Sequence, residues 1–223
     1  MATLRRHRST IALALVAALS GLLVTAIFSA TRARVALQRQ SGAERQLLEL
    51  IPALKHDDMR LIETRVDDVP LLGLRAPQPA YIARRAGAAV AAILPATARD
   101  GYGGDIDLLI GIDRNGNVTG VRVLHHRETA GLGARIDADQ STWLHGFVGK
   151  SLGNPREEQW RVKRDLGAFD QFTGATVTPR AVTASIKRVL QYFAAHRATL
   201  LAMPVAEERS AAENRPAAEN SDE

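Results

Sequence analysis

The residues that decide the fold read D-I-D-L-L-I-G-I-D-R-N-G-N-V-T-G-V-R-V-L-H, from Asp105 to His125. Ile106, Leu108 and Ile110 alternate with other positions, as they do when successive side chains point to opposite faces of a sheet. Val121 and Val123 alternate again after Asn115-Gly116. Asn-Gly supplies the positive φ angles of a tight turn, so the stretch predicts a β-hairpin. Upstream, Tyr81–Arg84 and Ala88–Ala96 flank Gly87 and fit a second hairpin, although the alanine run also suits a helix. Downstream, from Pro179, Val182, Ile186, Val189, Leu190 and Phe193 fall on one helical face, with Arg180, Lys187, Arg188 and Arg197 largely outside it. A helix packed across an antiparallel sheet gives an α+β domain, placed at residues 79–202.

The remaining elements are weaker. Leu47, Leu48, Ile51 and Leu54 have helical spacing interrupted at Pro52. Leu61 to Pro79 carries Pro70, Gly73 and Pro77 and reads as loop with short extended pieces. Ser141 to Leu152 reads as a short amphipathic helix ended near Gly153-Asn154-Pro155, with Trp143, Leu144, Phe147 and Val148 as its apolar side. Residues 31–78 are thus a helical and loop linker leading into the domain.

Composition narrows the function. The net charge is +5, but the arginines are scattered with few aromatics among them and no basic stripe, which argues against nucleic acid as a partner. The 223-residue chain has no cysteine, which excludes disulfides, thiol redox chemistry and cysteine-ligated iron–sulfur clusters. Any electron transfer therefore needs a bound organic cofactor. A short basic segment with Arg5, Arg6 and Arg8 (residues 1–10) precedes an unbroken apolar or small run from Ile11 to Ala30. At about 1.5 Å per residue that run spans about 30 Å, the thickness of a bilayer core, and reads as one transmembrane helix. Arg32, Arg34, Arg39 and Arg45 follow it, so charge bias alone leaves its orientation open. Residues 203–223 are dominated by Ala, Glu and Asn without apolar periodicity and read as a disordered acidic tail.

Several site readings fail on chemistry or spacing. Gly131-x-Gly133 needs a glycine at 136 for a dinucleotide fingerprint and finds Ile136; Gly149-Lys150-Ser151 needs one at 144 for a P-loop and finds Leu144. His125 and His126 are adjacent and would face opposite sides of a strand, which argues against a shared metal. No Ser or Cys is visibly paired with a base, so no catalytic residue is assigned. The stretch from Asp170 to Pro179, D-Q-F-T-G-A-T-V-T-P, offers more. It combines a carboxylate, three threonines, a Gly-Ala pair too small to block a ligand, and a helix start in which Thr178 suits the N-cap and Pro179 the first helical position. The free amides there, at the positive end of the helix dipole, suit a phosphate. Upstream, Glu128, Thr129 and Ala130 lead into Gly131-Leu132-Gly133, a loop at a strand end whose glycines admit a flat ligand.

Asp170, Thr173, Gly174, Ala175 and Thr176 match in order and spacing the D-x-x-(S/T)-G-A-T motif of proteins that carry FMN on a threonine. With Gly101-Tyr102-Gly103-Gly104-Asp105-Ile106 and the His126 to Gly133 loop, the chain resembles the G subunit of the Rnf (Rsx) ion-translocating electron-transport complex, from the N-terminal run to about Leu201. The resemblance implies a covalent phosphoester from FMN to Thr176, made by a separate flavin transferase that takes FMN from FAD and recognises Asp170 and its neighbours. It implies a cofactor site of Thr176, Asp170, Thr173, Gly174, Ala175, Thr178, Glu128, Thr129, Gly131, Leu132 and Gly133, with the flavin ring near the Glu128 to Gly133 loop. It further implies a single-pass protein of the bacterial inner membrane with its domain in the periplasm, acting as one component of a redox translocase. Two other readings stay open: the C subunit of the sodium-pumping NADH:quinone reductase, which shares the domain type and acceptor motif, and a non-redox extracytoplasmic scaffold in which the T-G-A-T turn is only a cap.

Overall fold

The hairpin at Asn115-Gly116 forms the last two strands of a five-stranded antiparallel meander whose strands neighbour one another in chain order. In the computed structural model, which describes residues 20, 47, 49–51, 59–66 and 70–202, the strands are β1 (Met59–Val66), β2 (Gln78–Arg85), β3 (Ala88–Gly101), β4 (Gly104–Asp113) and β5 (Val118–His125). The β4–β5 turn is longer than a minimal Asn-Gly turn. Only Gly116 takes a positive φ, +89°. The Asp113 carboxylate accepts from the Asn115 and Asn117 amides at 2.8 and 2.9 Å and so stabilises a wider loop with glycine at its left-handed position.

The alanine run of β3 is a strand, not a helix. Ala86 and Gly87 both have positive φ, +49° and +80°, as a two-residue hairpin turn with the sheet's twist requires. Ala91 and Ile93 face one side of the sheet while Ala92, Leu94, Ala96 and Ala98 face the other. The small side chains let the helix α1 (Val177–Ala202) lie close against β3. Ile106, Leu108, Ile110 and Ile112 of β4 complete that core with Val182, Ile186, Val189, Leu190 and Phe193 of α1, all buried. The α+β expectation holds in this sheet and helix.

Three local expectations are corrected. Residues 61–66, read as loop and short extended pieces, belong to β1, paired along its length with β2, so the sheet begins at Met59 and not at Tyr81. Residues 141–152 are not an α-helix; only Trp143–Phe147 forms a 3₁₀ turn. The reason is competition: the Gly149 amide donates to Val118 O at 2.7 Å and the Val118 amide to Lys150 O at 2.8 Å, so the chain pairs with the start of β5 where a helix would have continued. The helix itself starts before Pro179. The Arg180 amide donates to Thr176 O at 3.1 Å, which makes Thr176 the N-cap position and puts Val177, Thr178 and Pro179 inside the first turn.

The second face of the sheet is covered by Leu47, Leu50 and Ile51, packed with Ala83, Ala91 and Ile93. Gly111 and Gly120 are register partners there, and a Cβ on either would come within 2.6 or 2.8 Å of the Leu50 carbonyl oxygen. That glycine pair is the notch through which the Leu47–Ile51 backbone reaches the sheet, secured by the Thr119 hydroxyl donating to Leu50 O at 2.8 Å. The Ile11–Ala30 run and the tail at 203–223 lie outside the described residues, apart from Ser20. Among those described, no helix is long and apolar enough to cross a membrane.

Candidate functional site

The β3–β4 turn, the loop after β5 and the start of α1 meet around one carboxylate. Glu128 is 8% exposed, and its Oε1 accepts from the Gly103 amide at 2.9 Å while Oε2 accepts from the Thr178 hydroxyl at 2.5 Å. Its own amide donates to His126 Nδ1 at 2.9 Å, which leaves His126 Nε2 as the nitrogen facing Asp137, 3.0 Å from each carboxylate oxygen. Glycines make room for this carboxylate. A Cβ on Gly133 would lie 2.4 Å from Glu128 Oε2 and 2.7 Å from Thr178 Oγ1, and one on Gly101 would lie 2.8 Å from Glu128 Oε1. Thr178 is therefore not the cap expected of it. It is fully buried and serves as the donor that joins the helix start to the β5 loop.

The acceptor stretch is held from below by aromatics. Phe172 is buried and meets Trp143 edge-on at 5.2 Å, Phe169 stacks on Phe147 at 4.6 Å, and Trp143 Nε1 donates to Asp170 O at 2.9 Å. Between Phe172 and Ala175 the chain makes a tight turn, with the Ala175 amide on Phe172 O at 3.1 Å and Gly174 at φ +81°. A left-handed third position is what such a turn needs, and glycine adopts it without cost.

Above that turn lies a cleft of about 370 Å³, lined by Glu128, Thr129, Leu132, Gly133, Gly174, Ala175, Thr176 and Thr178 with Tyr102 and Val177. Its volume lies within the range of small-molecule pockets, roughly 300–1,000 Å³. The structure thus joins the two motifs that the sequence separates. Asp170, Thr173 and Gly131 do not line it: Asp170 is 70% exposed with Oδ1 at 2.5 Å from Lys163 Nζ, and Thr173 is exposed on the turn. Tyr102 and Val177 were not among the expected site residues. Tyr102 projects from the tip of the β3–β4 hairpin, 76% exposed, and the glycines at 101, 103 and 104 around it were the available signal.

The cleft offers both hydrogen-bond donors and apolar surface. Val177 and Thr178 open the helix with amides that have no acceptor among the described residues. Arg164 Nη1 donates to Thr176 Oγ1 at 3.4 Å. Close by, Arg180 grips Asp165 through two bonds of 2.6 and 2.8 Å; these hydrogen bonds hold the Asp165 carboxyl below its usual range and raise the Arg180 guanidinium, each against a smaller opposing effect of desolvation. Tyr102, Leu132 and Val177 add exposed apolar surface to the lining. Free amides and exposed apolar surface in one cleft fit a molecule with an anionic head and a flat body, such as FMN. Among the described residues no group of His, Cys, Asp and Glu side chains forms a metal site.

Comparison with known proteins agrees with this layout. Residues 101–191 match the model of the FMN-binding domain, a span that takes in the Tyr102 turn, the Glu128 loop and the acceptor stretch. The chain is 48% identical over 196 residues to a Pseudomonas aeruginosa (strain UCBPP-PA14) protein named as the G subunit of the ion-translocating oxidoreductase complex, covering 87% of this chain and 92% of that one. Proteins of the same name are 44% identical in Shewanella loihica (86% of this chain, 91% of the relative) and 38% identical in Aliivibrio fischeri strain ES114 (89% and 95%).

Proposed function

Because the chain belongs to the family of G subunits of the ion-translocating oxidoreductase complex and carries an FMN-binding domain, we propose that it is the flavoprotein component of an Rnf-type complex, relaying electrons through FMN attached to Thr176. The observation that carries this reading is the cleft that sets Thr176, directly after the acceptor turn, beside the Glu128 to Gly133 loop. FMN would supply the redox chemistry when bound, and the protein sets its environment and its distance to partners.

Each residue has a part that its position supports. Thr176 Oγ1 forms the link once, during maturation, with FAD and a flavin transferase. In that step Thr176 Oγ1 would gain a bond to the flavin-side phosphorus as the bond from that phosphorus to the bridging oxygen breaks, with AMP leaving on that oxygen and the hydroxyl proton passing to solvent. Gly174 and Ala175 leave the approach open. The helix start, with the free amide of Val177, would favour the diester's remaining negative charge. Tyr102, Leu132 and Val177 offer apolar surface to the ring, while Glu128 holds the loop, the β3–β4 turn and the helix start in register. Asp170 and Thr173, outside the cleft and exposed, are available to the transferase.

The Ile11–Ala30 run would anchor the chain in the inner membrane beside the other subunits of the complex, with the domain in the periplasm where the transferase would meet it. The test is spectroscopic. The full chain, co-expressed with its transferase, should show a flavin absorption spectrum that bleaches on reduction with dithionite and returns on oxidation. A colourless protein would favour the non-redox scaffold. Relatives named as G subunits of the oxidoreductase complex, at 38 to 48% identity over most of the chain, favour this family over the C subunit of the quinone reductase.

A further inference from the structure

We propose that Arg164 is the side chain that grips the phosphate at Thr176, and that the 3₁₀ turn Lys163–Asp165 is the device that positions it; this rests on the phosphoester reading above. The guanidinium already points at the linking atom, with Nη1 at 3.4 Å from Thr176 Oγ1. Its neighbours are otherwise engaged. Lys163 Nζ lies 2.5 Å from Asp170 Oδ1, and Arg180 is taken up by both oxygens of Asp165. Arg164 makes no ion pair of that kind among the described residues, so its charge is available to an anion at Thr176.

The turn that carries Arg164 is built to stay in place although its tip is exposed. Val162 and Phe169, on either side, are buried and bridge to each other. The Lys163 amide donates to Phe169 O at 2.7 Å, the Phe169 amide to Arg161 O at 3.1 Å, and the Gly167 amide to Val162 O at 3.0 Å. Gly167 sits so close that a Cβ there would come within 2.0 Å of Arg161 O. The Arg164 amide itself donates to Gln171 Oε1 at 3.3 Å, and the Asp165–Arg180 pair fastens the turn to the first turn of α1. A five-donor side chain on a fixed turn, beside a helix N-terminus, suits a phosphodiester oxygen better than a mobile lysine would. Negative charge that gathers on the phosphoryl oxygens as the Thr176 bond forms would meet the same guanidinium, already oriented.

The experiment follows attachment directly. Full-length wild type and Arg164→Ala, Arg164→Lys and Arg164→Glu variants are incubated with limiting flavin transferase and FAD, and the flavin-bearing fraction is read by intact mass against time. Arg164→Ala should attach flavin about ten- to a hundred-fold more slowly, the range for losing one charge-assisted contact. Lysine should recover part of the rate and glutamate should be slower than alanine. The arginine advantage should shrink as salt is raised, because the site is open to solvent. The phosphorus resonance of whatever diester forms should shift in Arg164→Ala, while thermal midpoints stay close to wild type. Should the alanine variant unfold, Arg164→Gln keeps the stem without the charge and gives the same comparison. Wild-type rates and an unshifted resonance in Arg164→Ala would overturn the assignment while leaving the phosphoester reading intact. Equal losses in alanine and lysine variants with lowered thermal midpoints would make Arg164 structural and overturn it too. A wild type that takes up no flavin would overturn both.

Discussion

Removing the Glu128 carboxylate should loosen the β3–β4 turn, the β5 loop and the start of α1 together, and the loss can be graded from the contacts. In Glu128→Ala the Gly103 amide and the Thr178 hydroxyl each lose their partner on a residue that is only 8% exposed. Hydrogen bonds to a charged group contribute about 1.5–3 kcal/mol each, but part of this returns as water enters the space left behind, so the net cost should be about 3–4 kcal/mol. Glu128→Gln keeps the volume. Its carbonyl can accept from the Gly103 amide, which cannot turn, and its amide can face the Thr178 hydroxyl, which can rotate to accept. That variant should cost about 1–2 kcal/mol. Combining Glu128→Gln with Thr178→Val should give a coupling energy of about 1 kcal/mol, since the two residues share one bond. Urea unfolding of the purified chain and its variants, Thr178→Val alone included, followed by the fluorescence of Trp143 and Trp160, measures these three values. Equal costs for the alanine and glutamine variants, or a coupling below about 0.5 kcal/mol, would refute the view that a hydrogen-bonded carboxylate joins these segments.

Leu166 is 92% exposed with φ at +60°, so Leu166→Gly should raise stability by about 1 kcal/mol, seen as a higher thermal midpoint. Asp165→Asn should weaken the grip on Arg180 only where the aspartate is ionised. Its folded pKa is lowered by the Arg180 hydrogen bonds, so its contribution is present above the ordinary aspartate value near about 4 and fades as pH falls below it; the two proteins should converge in stability there. Gly120→Ala should displace Leu47–Ile51 by driving a Cβ to 2.8 Å from Leu50 O, at about 1–3 kcal/mol, with faster hydrogen exchange in that segment as the check. An alkaline phosphatase fusion after Gly42 should be active if the domain is periplasmic; activity of a cytoplasmic reporter there would reverse the proposed orientation.

What the sequence made legible follows the range of each interaction. The Asp105–His125 hairpin announces itself because alternation and Asn-Gly are local signals, and so does the apolar face of α1. The strand β1 was hidden because Arg60, Glu63 and Arg65 break its apolar pattern; its pairing with β2 is set across the prolines that follow. Thr178 was misread for a related reason. Thr176 and Thr178 are both good capping residues two positions apart, and the choice between them is fixed by Glu128, fifty positions away along the chain. Trp143 to Phe147 could not extend into a helix because the chain after it bonds to Val118, a partner no helical pattern records. In the site, the Glu128 to Gly133 loop and the Gly174 to Thr178 stretch were each readable, whereas Tyr102 enters only because a glycine-flanked hairpin tip reaches the same cleft.

The central claim is that Thr176 carries FMN through its side-chain oxygen, and one comparison tests it most directly. Wild type and Thr176→Ala are co-expressed with the flavin transferase, denatured, separated by electrophoresis and viewed under ultraviolet light, with the labelled peptide identified by mass. The account predicts a fluorescent wild-type band whose added mass maps to the peptide containing Thr176, and a dark band for Thr176→Ala from a protein that still folds. A fluorescent Thr176→Ala band, or a label mapped to another residue, would contradict it.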